Sequence, residues 1–250
     1  MVATLQKLQP PRAMRWVTRW KWITIILVAV GIGVAIRLEH WTRWIVVPVI
    51  LGGAYYAFTV FRHRGRIVGQ GSEGEALVAN VLDNLHDMDA RVLHSVQFES
   101  GDRPREIDHL LISHNTMFVI ETKYLRGRIA GEALDREWTL HKRARQTRSR
   151  YKRTFYNPLK QVATQIYHLR SHLESNLAPR WAQECSQIWI QGVVVFAHPQ
   201  GDASAVINHE NGVVDLANLP QYLANYRPPS RAHRLSYGLR REIARVLTGQ

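Results

Sequence analysis

Asp108, Glu121 and Lys123 are three residues of this 250-residue chain whose types and spacing could do chemistry together. They lie on two apolar, β-branched runs, Glu106 to Ile112 and Met117 to Lys123. The runs flank Ser113-His-Asn-Thr116, which is the signature of a β-hairpin. A turn centred between His114 and Asn115 pairs residues whose numbers sum to 229, so Asp108 faces Glu121. Directly opposed residues bring their Cβ atoms to about 4.5–5.5 Å. Two carboxylates that close repel unless a cation stands between them. Glu121 and Lys123 are two residues apart, so both project from one face. Hard carboxylate oxygens suit Mg²⁺ or Mn²⁺, which keep several waters and accept phosphate oxygens. Such an ion lowers the pKa of a bound water and stabilises charge on a scissile phosphate. Lys123 beside it could orient that water or stabilise the transition state. The competing reading is an exposed cross-strand charge pair, which contributes little. The apolar flank Phe118-Val-Ile120 argues against an exposed strand.

Holding these groups requires a sheet with helices packed on it. Gly69-Gln-Gly-Ser72 opens a helix with Ser72 as N-cap, and Val78, Val81, Leu82 and Leu85 follow at helical spacing. Arg91 to Gln97 reads as a strand and Gly101-Asp-Arg-Pro104 as a turn. Gly127 to Leu140 predicts further strand and turn, with Trp138 packed. Asn157-Pro158 starts a long helix through about Leu173. Ile188 to Phe196 is apolar but for Gln191 and is expected as a central strand. Asp215 should cap a short helix, and Arg234 to Leu247 reads as a basic amphipathic terminal helix. Helix, antiparallel strands, helix, strand describes a mixed α/β sandwich. His109 points away from Asp108 and reads as structural.

These residues carry a resemblance. Ile107-Asp108, twelve intervening residues, then Glu121-Thr122-Lys123 resembles the core of the PD-(D/E)XK nucleases. The wider pattern is similar to the nuclease-related domain (NERD) family. It comprises Gly71-Ser-Glu-Gly-Glu75, Glu106-Ile-Asp-His109, Phe118-Val-Ile-Glu-Thr-Lys123, Gly127, Ile129-Ala-Gly131, Trp138 and Asn157-Pro-Leu-Lys-Gln161. The match covers roughly residues 70–200. Ile107 stands where the superfamily name has proline. The resemblance implies a restriction-endonuclease-like mixed sheet flanked by helices, dependence on a divalent metal, and a nucleic-acid substrate, DNA before RNA. It implies Asp108 and Glu121 as metal ligands, Glu75 as a third, and Gln161 facing the active site. Ser72-x-x-Glu75 also fits a capping box, in which Glu75 bonds back to the cap amide. Gln161 also fits a polar surface residue.

A basic run follows the hairpin. It holds Lys142, Arg143, Arg145, Arg148, Arg150, Lys152 and Arg153, interleaved with Tyr151, Phe155 and Tyr156. Phosphate contact with aromatic stacking is the reading preferred here, with anionic lipid heads as the competitor. The formal charge of +13 is a weaker guide than it looks. Residues 1–70 hold ten Lys/Arg against one acid, and residues 71–250 hold 23 against 19. Most of the excess therefore flanks two apolar stretches, and topology explains it.

Trp22 to Ile36 and Trp44 to Phe61 carry no charge. A membrane span needs about 20 mostly apolar residues. Spans over about 20–38 and 44–61 are expected, with Trp20, Trp22, Trp41 and Trp44 as interface anchors. Five Lys/Arg precede the first span and Arg62, Arg64 and Arg66 follow the second, while the loop holds only Arg37 and Arg43. Positive residues stay in the cytoplasm, so both termini are expected there, with the chain in the cell (inner) membrane. Residues 1–66 then form the anchor and 67–250 the nuclease-like domain. A lone cysteine, Cys185, excludes an intramolecular disulfide and reads as a buried small hydrophobe. The functional expectation is a membrane-anchored, metal-dependent nuclease. The alternative is a catalytically silent nuclease-like domain that binds nucleic acid or a protein partner.

Overall fold

The computed structural model describes residues 71–85, 89–101, 103–143 and 150–249, together with Gly52 and Gly53. The chain divides into two compact units, Met1–Ser72 and Glu73–Gln250, and every described strand belongs to the second. The expected spans over 20–38 and 44–61 lie outside the described residues, apart from the two glycines. Among the described residues, no helix is long and apolar enough to cross a membrane.

Five strands form the main sheet, in the order β1 (Ala90–Ser100), β2 (Arg103–Ser113), β3 (Met117–Lys123), β7 (Ile190–Phe196), β9 (Val213–Asp215). β1, β2 and β3 are antiparallel neighbours, whereas β7 runs parallel to both β3 and β9. The run Ile188 to Phe196 was expected as a central strand; its residues 190–196 form β7, which lies inside the sheet between β3 and β9, with β3 at the midpoint. Both are buried on two faces, which is why each reads as nearly continuous apolar sequence.

The two faces of this sheet bury separate clusters. On one, Val78 and Leu82 of helix α1 (71–83) pack with Leu111, Phe118, Ile120, Val193 and Val195. Helix α4 (Leu219–Asn225) adds Leu219 and Leu223 there. On the other, Val162, Leu169 and Leu173 of α2 (Pro158–Asn176) meet Leu110, Ile112, Met117 and Val119. Leu239, Ile243 and Leu247 of α5 (Tyr237–Thr248) and Cys185 of α3 (Pro179–Ser186) join that cluster. Burying one such aliphatic side chain contributes about 1.5–3 kcal/mol.

Helix starts correct the sequence reading in two places. Ser72 already lies within α1, so it is not a residue ahead of the helix. Asp215 ends β9; its carboxylate accepts from the backbone and side chain of Asn218, which occupies the N-cap position of α4 without a side-chain bond to that helix. The α2 start stands as expected. Asn157 accepts from the Leu159 amide, and its own amide donates to the carbonyls of Glu132, Ala133 and Asp135. That side chain ties the start of α2 to the turn that carries those three carbonyls.

A second sheet has the order β6 (Arg150–Tyr156), β5 (Glu137–Arg143), β4 (Gly127–Ala130), β8 (Gly201–Asp202). Its inner face contributes Ile129, Leu140 and Trp138, whose indole stacks on Phe196 at 6.3 Å. The basic run is therefore two paired strands, with residues 144–149 outside the described residues.

Candidate active site

Asp108 sits where β2 is released from both neighbours. The β1–β2 ladder runs from Ala90↔Ser113 to His94↔His109, skips Ser95 and Asp108, and resumes at Val96↔Ile107. Ser95 has φ 48°, a left-handed backbone uncommon for a residue with a Cβ. Both strands change face across this point. Val92 and Leu111 pack on the α1 side, whereas Val96 and Ile107 pack on the α2 side. Such irregularities gather at functional sites when the surrounding structure holds them.

On the other edge, the β2–β3 ladder stops at His109↔Ile120. Every paired position obeys the expected sum of 229, so the register is as read from the turn. The ladder opens one step before Asp108 and Glu121, so the two are not partners in it, which corrects the expectation that they stand directly opposed. The Asp108 carboxylate substitutes for a ladder partner: Oδ2 accepts from the Thr122 amide at 2.8 Å.

Glu121 and Lys123 follow on β3, on the face that meets α2. Lys123 Nζ donates to Glu121 Oε1 at 2.6 Å and to Gln161 Oε1 at 2.9 Å. Gln161 lies one turn inside α2, and the Asn157 cap fixes where that turn begins. Gln165, one further turn along, donates to Glu121 Oε2 at 2.9 Å and to the Glu106 carbonyl at 3.3 Å. The Glu121 and Lys123 side chains are only 5% and 18% exposed, so this is a sheltered ion pair and not a surface one. Gln165 was missed at the level of sequence. Its signal was its place four residues after Gln161, hence on the same helical stripe.

Glu75, on α1, is half-buried. Burial pushes its carboxyl above the usual carboxylate range, and the charges of Glu106 and Glu121 push the same way. It therefore stands within electrostatic reach of the β2–β3 opening. Gly74 before it lies so close to Tyr124 that a Cβ would stand 2.6 Å from the tyrosine Cβ. The start of α1 thus needs a glycine to seat against the residue following Lys123.

Asp108 is raised well above the usual range, first by burial, then by the charge of Glu121; Glu75 adds to this. The Thr122 amide and the Lys123 charge oppose the shift without cancelling it. The carboxyls of Asp108 and Glu75, both raised by burial and by the charge of Glu121, are hard oxygen donors short of positive charge. In chemistry they fit a hard divalent cation. Gln165 Oε1, a further amide oxygen at the site, is buried without a partner. Among the described residues, no three His, Cys, Asp or Glu side chains stand close enough together to enclose an ion.

His109 lies on the opposite face, as its position in the strand requires. It is buried, with Nδ1 at 2.8 Å from Nδ1 of His94, which reaches Asp83 at 3.0 Å through Nε2. Burial, then His94, lowers its pKa to about 3. Of the basic residues, Lys142, Lys152 and Arg153 lie on the β5–β6 pair, and Arg143 pairs with Arg150. Arg145 and Arg148 lie outside the described residues. Tyr151 and Tyr156 are half exposed, while Phe155 turns inward onto Trp138.

A mixed sheet flanked by helices, with an Asp, a Glu and a Lys gathered where a hairpin opens, defines a nuclease-like class of domain. The profile of the nuclease-related domain family matches residues 70–197, just over half of the chain, and the chain belongs to that family. The assignment is consistent with the PD-(D/E)XK nuclease superfamily. An uncharacterized protein of Bacillus anthracis is 34% identical over 110 residues, which cover 43% of this chain and 49% of that protein. The chain thus matches about half the length of this relative. No solved structure gives a significant match.

Proposed function

We propose that this chain is a divalent-metal-dependent nuclease that hydrolyses phosphodiester bonds of DNA, with RNA as the second substrate class. The observation that carries the reading is the bonding at the open end of the β2–β3 hairpin: Lys123 joins Glu121 to Gln161, and Asp108 accepts from the amide of Thr122, which lies between Glu121 and Lys123. Asp108 and Glu121 would hold Mg²⁺ or Mn²⁺, and Glu75, within electrostatic reach of both, would have to draw nearer to join them as a third ligand. The bound ion would supply an acidified water and charge stabilisation at the phosphate. Lys123 keeps a donor beside the Glu121 carboxylate, where it can orient a water or meet a phosphoryl oxygen. Gln161 holds that ammonium from the side of α2. Lys142, Arg143, Arg145, Arg148, Arg150, Lys152 and Arg153 would follow the phosphate backbone, with Tyr151 and Tyr156 as exposed stacking surfaces.

A second reading has its own observation. Lys123 and Gln165 together engage both oxygens of Glu121, an arrangement that also suits a domain binding nucleic acid without cutting it. Incubating the full chain with single- and double-stranded DNA and RNA separates the two. Cleavage with Mg²⁺ or Mn²⁺, loss with EDTA and loss in Lys123→Ala are expected. Binding without metal-dependent cleavage, or equal cleavage by Lys123→Ala, leaves the second reading standing.

The charge-free stretches Trp22 to Ile36 and Trp44 to Phe61, within expected spans of about 20–38 and 44–61, support a membrane anchor ahead of this domain, in the inner membrane with both termini cytoplasmic.

A further inference from the structure

Beyond His109↔Ile120 the strands β2 and β3 separate, and Gln165 reaches across the opening from α2. We propose that Gln165 is a positioning residue, which sets the orientation of Glu121 and the width of the cleft between the two carboxylate-bearing strands. The inference rests on the metal-dependent reading of this site.

Gln165 Nε2 makes two bonds, one to Glu121 Oε2 on β3 and one to the Glu106 carbonyl on β2. Glu106 lies past the end of the β2–β3 ladder, so this bridge stands where ladder bonds have ceased. Glu121 is thereby held from two sides, by Lys123 at Oε1 and by Gln165 at Oε2. A carboxylate oxygen has two lone pairs, so each oxygen keeps one free for a cation. The carboxylate plane is fixed, while its capacity to ligate remains.

The helix behind the amide is itself immobilised. Between Gln161 and Gln165, Val162 presses on the sheet at Gly192, where a Cβ would stand 2.3 Å from Val162 Cγ1. Only a glycine lets α2 approach that closely, and the approach is what brings both glutamines within reach of β3. Packing does not explain the choice of glutamine, because Val162, Leu169 and Leu173 already supply the apolar contacts of α2. The Gln165 oxygen is buried and accepts nothing. A buried acceptor without a donor is unfavourable, since it has given up its water for nothing. The side chain is retained for its nitrogen, despite that cost.

Groups that orient metal ligands without touching the ion typically change affinity or activity about ten- to a hundredfold when removed. The test compares the full chain with Gln165→Leu and with Gln165→Met, which keeps the length of the side chain. Mn²⁺ binding is followed by electron paramagnetic resonance, cleavage by kcat and KM separately, and folding by thermal melting. Both variants should bind Mn²⁺ about tenfold or more weakly and lose kcat, with KM for the nucleic acid and the melting midpoint near wild type. Wild-type Mn²⁺ affinity and kcat in either folded variant would overturn the inference. So would parallel losses in kcat and KM accompanied by a lowered melting midpoint, which mark a purely structural role. A wild-type chain that binds no Mn²⁺ removes the metal reading, and this inference with it. A wild type that binds Mn²⁺ beside unaffected variants removes this inference alone.

Discussion

At the residue scale, the sheltered pair Glu121–Lys123 determines what substitutions do. Taking two charges out of water is unfavourable, and their attraction offsets that only while both are present. Glu121→Leu leaves the Lys123 ammonium beside Gln161 without its bonded carboxylate. It should destabilise the fold by about 3–5 kcal/mol, and Lys123→Met should do the same. The double variant Glu121→Leu with Lys123→Met removes both charges and should recover most of that loss, while remaining inactive. Urea denaturation of the four proteins measures the coupling. Additive losses would show that the two side chains do not act as a pair. Cys185 belongs to the same scale, since burial pushes its thiol up to about 11 and leaves it a packing group.

At the scale of elements, the β5–β6 pair carries Lys142, Lys152 and Arg153 on a hydrogen-bonded ribbon. If these meet phosphates, removing each one lowers the slope of log K against log salt by about 0.9 on duplex DNA. Replacing all three with alanine should reduce that slope by about 2–3 and weaken binding similarly for unrelated sequences. An unchanged slope, measured by titration over a range of salt, would remove the ribbon from the interface. The hairpin β2–β3 shows what sequence could reveal. Ser113-His-Asn-Thr116 set the turn, and the turn set every paired position of the ladder. The long helix was legible because Asn157-Pro158 is a cap followed by a residue suited to the first turn. The opening of the ladder at Asp108 was not legible, because it depends on the left-handed backbone of Ser95 in a neighbouring strand. Gln165 escaped for a related reason. Its partners, Glu106 and Glu121, are set by the depth at which α2 seats on Gly192, and no local pattern encodes that depth. The basic run is legible as composition, but its pairing as strands depends on Trp138 and Leu140 burying one face.

At the scale of the whole molecule, stability should respond to acid through His109. Its folded pKa is about 3, against about 6.5 for an unfolded histidine. Between those values the unfolded chain holds a proton that the fold excludes, so stability falls as pH falls. The slope is about 1.4 kcal/mol per pH unit for one group. His109→Leu fills the same buried position without titrating, so denaturation between about pH 4 and pH 6 should show a flatter profile. An unchanged profile would assign the acid sensitivity elsewhere. Charge also divides the molecule, and the division bears on where the domain works. Ten Lys/Arg against one acid in residues 1–70 bracket two charge-free stretches, leaving residues 71–250 with 23 against 19. A strongly basic catalytic domain would hold nucleic acid without help, whereas a mildly basic one gains from confinement to a surface. On the proposed topology both termini face the cytoplasm, because basic residues outside the loop far outnumber Arg37 and Arg43 within it. A reporter active only in the cytoplasm should work when fused after Gln250, and one active only outside should not. Moving positive charge into the loop and out of the flanks should invert that pattern, since basic residues near span ends set orientation. Activity of the external reporter in the unaltered chain would refute the topology, and release of the chain from membranes by salt alone would refute the spans.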